Sequence, residues 1–328
     1  MSSMEARLAQ LIAPIQEGLV AMREEIDRFS SESSPAVSEM TSHIASFRGK
    51  QLRGSLVLLV GQATGNYSDE HPRVAAIVEL IHLATLVHDD VLDGAAVRRR
   101  VACVNERWDN QVAVLLGDFL YSRAFGLSTQ LSSRFCSQLL STTTARLCIG
   151  EIEQSQMRYD FEMSQENYER IAAAKTGALY SAACELGARY PSGDEARGRE
   201  MAAFGEEIGL AFQIIDDCLD VMGEEEIVGK SVGNDITDGK VTLPILRTYS
   251  QASEATRVKI REAYSAPDIE DRRGALREIC DLTPGTEYAS ARADALVQSA
   301  LNRLKTLPDS PARLALEALG DFVLQRGW

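Results

Sequence analysis

Apolar residues recur at i, i+3, i+4 and i+7 along most of the chain, the spacing of a single helix face. Leu8, Leu11, Ile12, Ile15 and Leu19 trace an amphipathic first helix, closed by the Ser-rich run SSESSP that ends at Pro35. A second apolar helix is predicted from Leu52 to Ala63, stopping near Gly65-Asn66. From Val74 to Leu92 the chain is apolar on nearly all sides, as expected of a helix buried within a bundle. Further helices are predicted over 111–129, 133–158, 165–190 and 195–222. The strongest interruption is GEEEIVGKSVGNDITDGK at 223–240, whose Gly, Asn and Asp content predicts a long loop. Shorter helices follow, broken around Pro284 and Pro308. No fixed-period repeat or interdomain linker is visible, so the pattern predicts one all-α helical domain over 1–328.

Composition agrees with that pattern. Hydrophobic residues make up 45% of the 328, enough for a sizeable core, whereas aromatics are only 6%. A formal net charge of -14 excludes the basic footprint of a nucleic-acid binder or of a chain held on an anionic membrane. The six cysteines, Cys103, Cys136, Cys148, Cys184, Cys218 and Cys280, form no C-x-x-C pair and read as buried free thiols of a reducing compartment. The N-terminus lacks a basic start followed by an apolar run, and no stretch approaches the roughly 18 apolar residues of a membrane span. A cytoplasmic location is expected.

Two acidic clusters change the picture. HDDVLD carries Asp89, Asp90 and Asp93, and FQIIDDCLD carries Asp216, Asp217 and Asp220; each closes an apolar helix. Asp89 and Asp93 share one helix face, as do Asp216 and Asp220, and like charges at that spacing repel. Carboxylates at a helix C-terminus also meet the wrong end of the dipole. A bound cation would offset both costs, and hard oxygen ligands suit Mg²⁺ shared with substrate phosphates. Either cluster alone could be a solvated patch, but two matching ones argue for a metal site. Cationic groups for phosphate stand nearby in the sequence: Lys50 and Arg53, then Arg98, Arg99 and Arg100, with Lys175-Thr176, Lys230 and Lys240.

From about residue 45 to 250 these elements resemble the trans-isoprenyl (polyprenyl) diphosphate synthase family. GKQLR, HLATLVHDDVLDGAAVRR, LLGDFLYSRAF, the KT pair at 175–176, FQIIDDCLD and GKSVGNDITDGKVTLP occur in the family's order. The resemblance implies a helical bundle around a central cavity, of isoprenoid synthase type. It also implies 1′–4 head-to-tail condensation of an allylic diphosphate with isopentenyl diphosphate. On this reading Asp89, Asp90, Asp93, Asp216, Asp217 and Asp220 hold about three Mg²⁺ ions against the allylic diphosphate. Arg98, Lys175 and Lys240 contact the same group, and Lys230 closes from the loop. Lys50, Arg53, His82 and Arg99 take isopentenyl diphosphate, while Thr176 and Gln213 point oxygen dipoles at the developing allylic cation. A homodimer is implied as well.

Two positions depart from the family pattern: Gly54 replaces the usual Pro of the first element, and Arg100 replaces the Gly after the Arg pair. Small residues at Ala84 and Thr85, with Ile81 and Ile77 further back, imply a product of C20 or longer. A class I terpene cyclase shares one D-D-x-x-D but usually carries a different second metal motif. A non-catalytic regulatory subunit of a prenyl synthase would typically have lost aspartates. Six intact aspartates favour the synthase over both.

Overall fold

The structure, a computed structural model, describes residues 11–31, 34–45, 49–98, 101–223, 232–266, 269 and 271–325. The chain divides into two compact units. The first comprises residues 1–143, 179–205 and 302–319; the second comprises 144–178, 206–301 and 320–328.

In the first unit a 3-10 turn, Ala13–Ile15, leads into α1, Gln16–Ser31. Pro14 sits where a missing N–H is tolerated, in the opening turn. Leu11 and Ile12 are already helical ahead of this turn, and α1 runs further than the predicted helix; Leu8 lies outside the described residues. Helix α2, Pro35–Ala45, also opens on a proline and was not legible as a helix. Next come α3, Leu52–Ala63, with its predicted bounds, and α4, His71–Leu92. Val74, Ala75, Ala76, Ile77 and Val78 are all fully buried, so α4 is surrounded as its unbroken apolar run predicts. It packs mainly against α1, α3 and α6, Asn110–Ser128. Between α4 and α6 lie a two-stranded antiparallel hairpin, β1 Val97–Arg98 and β2 Val101–Ala102, and the single turn α5, Val104–Arg107. Asp109 caps α6, its Oδ1 accepting from the Val112 N–H at 2.7 Å. Helix α7 is Phe135–Gln156.

The predicted 165–190 helix, of which the residues up to 178 belong to the second unit, does not form as one α-helix. Helix α8, Gln165–Ala172, passes through a π turn, Ala173–Gly177, into α9, Ala178–Arg189. Single π turns inside α-helices are rare and cluster at functional sites. Helix α7 presses close against this one: a Cβ on Gly150 would come within 2.8 Å of the Lys175 backbone nitrogen. Helix α10, Glu195–Met222, has its predicted bounds. Of the predicted loop, residues 224–231 lie outside the described residues, and Asn234–Thr237 forms a short helix, α11. Helices α12 Leu243–Gln251, α13 Glu254–Ser265, α14 Arg272–Ile279, α15 Thr283–Leu304 and α16 Pro311–Leu324 complete the chain. Pro284 falls in the first turn of α15 and Pro308 between α15 and α16, where the sequence places breaks. Four cysteines are buried, but Cys148, on an outward position of α7, is exposed, and Cys280, just past the end of α14, is half-buried.

Candidate functional site

The first cluster ends α4. Asp89 and Asp93 are half-buried, and the Asp93 N–H closes the helix on the Asp89 carbonyl at 2.8 Å. Asp90 points elsewhere. It is 1% exposed, and its Oδ1 accepts from the Arg98 guanidinium at 2.7 Å, anchoring β1. Burial opposes the Arg98 charge, but the Asp90 hydrogen bond and the Asp89 field outweigh it, and the Arg98 pKa is raised. The Asp90 Oδ2 is buried with no hydrogen-bond partner. Arg99 and Arg100 lie outside the described residues.

The same unit brings two predicted residues together, Arg53 on α3 and His82 on α4. Arg53 donates to His82 Nε2 at 3.0 Å, with that nitrogen as the acceptor. Its guanidinium also lies 4.5 Å from the Tyr180 ring centroid, while its Nε is buried without a hydrogen-bond partner. Lys50 is half-buried just before α3. At Gly54 the backbone N–H donates to the buried Glu79 Oε1 at 2.7 Å. A proline could not make this bond, and even a Cβ would reach the Met22 Sδ, so the departure at Gly54 has a local partner. Ile77, Ile81 and Ala84 are fully buried in α4, and the half-buried Thr85 turns its hydroxyl back to the His82 carbonyl at 2.8 Å. His88 donates to the Val114 carbonyl at 3.0 Å and lies in a notch left by Gly117, which ties the aspartate end of α4 to α6.

In the second unit a cavity of about 70 Å³ gathers Lys175, Thr176, Gln213, Asp217 and Lys240 together with Asp235. Thr176 Oγ1 donates to Gln213 Oε1 at 2.8 Å, and Gln213 Nε2 donates to Asp217 Oδ1 at 2.7 Å. Tyr168 completes the line, its hydroxyl reaching Asp217 Oδ2 at 2.5 Å. Burial, with the charges of Asp235 and Asp216 close by, pushes the Asp217 pKa well above the usual carboxylate range. Lys175 pairs with Glu151 at 2.6 Å and donates to Gln154 at 2.9 Å. Asp216 is half-buried. Asp220 turns toward the backbone instead, accepting from the N–H groups of Asn234 and Asp235 at 3.2 and 3.1 Å. Lys230 lies outside the described residues.

The carboxylates of each cluster fit a divalent cation. Asp235 and Asp216 oppose the charge of the buried Asp217, and the Asp90 Oδ2 is a buried acceptor with no hydrogen-bond partner; cations at the two clusters would reverse both penalties. Among the described residues no three acidic, His or Cys side chains converge into a complete cage.

The Polyprenyl synthetase family model matches residues 34–282, most of the chain. The chain belongs to that family. As a polyprenyl synthetase it is a prenyl-transferring enzyme, as the sequence resemblance implies. It is 33% identical over 313 residues to heptaprenyl diphosphate synthase component 2 of Bacillus subtilis, covering 95% of this chain and 89% of that protein. It is 32% identical to octaprenyl diphosphate synthase of Escherichia coli, covering 88% and 90%. A crystal structure of polyprenyl synthase from Caulobacter crescentus, complexed with calcium and isoprenyl diphosphate, superposes with a TM-score of 0.92 at 30% identity, covering 98% of each chain. A decaprenyl diphosphate synthase structure from Rhodobacter capsulatus gives 0.89 at 31%, covering 98% and 99%. The all-α fold of this synthetase is thus the fold of its relatives.

Sequence reasoning missed several residues of these groups. Tyr168 shares a helix with Lys175 and could have been aligned with it on a helical wheel, whereas Glu151 sits on α7 and only the folded chain brings it to Lys175. The π turn breaks that alignment. Glu79 reads as one charge inside an apolar run, which is itself a signal, since an isolated buried carboxylate needs a partner. Asp235 stood within the GNDITDGK segment and was passed over for the neighbouring Lys240.

Proposed function

We propose that this enzyme elongates an allylic diphosphate with isopentenyl diphosphate by 1′–4 addition, in a Mg²⁺-dependent reaction. The cavity that gathers Lys175, Thr176, Gln213, Asp217 and Lys240 carries this reading. Two ammonium groups there suit a diphosphate, and the Thr176 and Gln213 oxygens lie beside them, placed to stabilise positive charge at the allylic carbon. Arg98 and Lys230 add to the allylic diphosphate grip. Lys50, Arg53, His82 and Arg99 bind isopentenyl diphosphate, for which the unpartnered Arg53 Nε is an available donor. Asp89, Asp90, Asp93, Asp216, Asp217 and Asp220 form the two metal-binding clusters, with about three Mg²⁺ per active site. Mg²⁺, when bound, supplies Lewis-acid neutralisation of the departing diphosphate. The protein's own part is to orient both substrates, fix dipoles at the cation and exclude water from it. The proton lost after condensation passes to the released diphosphate.

Small residues at Ala84 and Thr85 support a product of C20 or longer. No helix among the described residues is long and apolar enough to cross a membrane, and we place the enzyme in the cytoplasm. Exposed Val114 and Leu115 on α6, and Ile149 and Ile152 on α7, support self-association as a homodimer. Two relatives are named as component 2 of a heptaprenyl synthase, so a heteromeric partner is the outcome to test against it.

The decisive experiment incubates the purified chain with Mg²⁺, labelled isopentenyl diphosphate and a panel of allylic primers, followed by chromatography of the dephosphorylated products. Linear prenyl alcohols are expected. Release of hydrocarbon without added phosphatase would mean a cyclase, and product only with a second protein would mean a dependent subunit.

A further inference from the structure

Tyr159 holds a backbone conformation that residues with a Cβ rarely adopt: its φ is +63°, in the left-handed region. Such conformations persist only where the surroundings over-determine them. Here the surroundings are Gly239. The Tyr159 N–H donates to the Gly239 carbonyl at 2.8 Å. The outer half of the ring rests on the Gly239 backbone, where any Cβ would fall inside it. Gly239 is itself left-handed, at +75°. Two left-handed residues from separate segments thus interlock. Because Tyr159 stays 47% exposed, the core does not account for its strained backbone.

The residue after Gly239 is Lys240. Its N–H donates to the Asp235 carbonyl at 2.8 Å, and its own carbonyl accepts from the Tyr264 hydroxyl at 3.4 Å. With Tyr159 holding the preceding carbonyl, the backbone is fixed on both sides of Lys240. The side chain is only 10% exposed and reaches the cavity shared with Lys175 and Asp217, its Nζ 2.9 Å from Asp238.

We propose that Tyr159 is a positioning residue for Lys240: its ring, seated on Gly239, sets the reach of the Lys240 ammonium toward the allylic diphosphate. This rests on the assignment of Lys240 to that diphosphate made above. The contact uses the ring's apolar surface, so the hydroxyl is dispensable. A lysine held in place surrenders less side-chain freedom when substrate arrives, and the effect falls on binding of that substrate.

The test compares Tyr159→Phe, Tyr159→Ala, Tyr159→Gly, Lys240→Ala and the Tyr159→Ala/Lys240→Ala double variant in the full chain, with each substrate varied separately. Tyr159→Phe should keep both KM values within about twofold, whereas Tyr159→Ala and Tyr159→Gly should raise the allylic KM about five- to tenfold and leave the isopentenyl KM within about twofold. The glycine variant discriminates, because glycine adopts +63° without strain. A parental allylic KM in Tyr159→Gly would show that only the backbone matters and overturn the proposal, as would an equal rise in both KM values. The double variant should be no worse than Lys240→Ala alone; additive losses would mean that Tyr159 does not act through Lys240. If Lys240→Ala leaves the allylic KM at its parental value, the assignment of Lys240 fails. If Lys240→Ala raises it and neither Tyr159→Ala nor Tyr159→Gly does, the Tyr159 inference fails alone.

Discussion

Tyr168, on α8, donates its phenolic proton to Asp217, on α10, at 2.5 Å, and both side chains are buried. With Gln213 on the other oxygen, both oxygens of the Asp217 carboxylate, proposed above as a metal ligand, are held. Groups that orient metal-binding carboxylates typically matter about 10- to 100-fold in metal affinity or activity. Tyr168→Phe removes one donor and keeps the ring. Its activity should fall by that order, with the Mg²⁺ concentration for half-maximal rate shifted upward. An unchanged Mg²⁺ titration would mean that Asp217 needs no help from Tyr168.

A second prediction concerns the bond between Gly54 and Glu79. Gly54→Pro restores the residue usual in the family, yet here it deletes the N–H that meets a buried carboxylate. Losing one such donor costs about 1–3 kcal/mol. Because Arg53 precedes Gly54, its approach to His82 should loosen too. The variant should melt earlier and show a higher isopentenyl KM. A melting temperature at or above that of the parent would show that the Glu79 contact contributes nothing.

Acid sensitivity follows from Glu169 on α8 and Arg292 on α15, joined by two hydrogen bonds at 2.8 and 2.7 Å. The Arg292 guanidinium holds the Glu169 pKa below the usual carboxylate value, though burial opposes it. A depressed folded-state pKa contributes stability that is present above the unfolded-state pKa and is lost as pH falls through the folded one. The contribution is about 1 kcal/mol after discounting for the exposed Arg292 side. Glu169→Gln should therefore destabilise the protein at neutral pH and converge with the parent below the carboxylate range. Chemical denaturation at neutral and acid pH checks this, and an equal deficit at both would rule the ion pair out as the cause.

Much of the fold was legible because apolar periodicity is dense: α3 and α10 have the bounds that the spacing of their apolar residues predicts. Periodicity cannot mark a π turn, which adds one residue per turn without altering composition, so the kink at Ala173–Gly177 was invisible although Lys175 and Thr176 were singled out. The hairpin that carries Arg98 is too short for alternation to register. Within the aspartate clusters, residue type was readable but orientation was not. Asp90 faces Arg98 and Asp220 faces the backbone of α11, and both partners are distant enough in sequence that only the folded chain reveals them.

The last prediction concerns product length. Ala84 lies one helical turn and one residue before Asp89, fully buried on α4. If the growing chain runs along α4 away from its aspartate end, a ring at position 84 blocks it within the first added units. Overpacking of this kind costs about 1–3 kcal/mol, so the fold should survive while long products do not form. Ala84→Phe should shift products to shorter chains, with the first condensation close to the parental rate. Thr85→Phe serves as the companion, since Thr85 is only half-buried and its hydroxyl faces the His82 carbonyl. If Ala84→Phe shortens products and Thr85→Phe does not, the path follows the buried face of α4. An unchanged product distribution in both would place the length determinant on another helix.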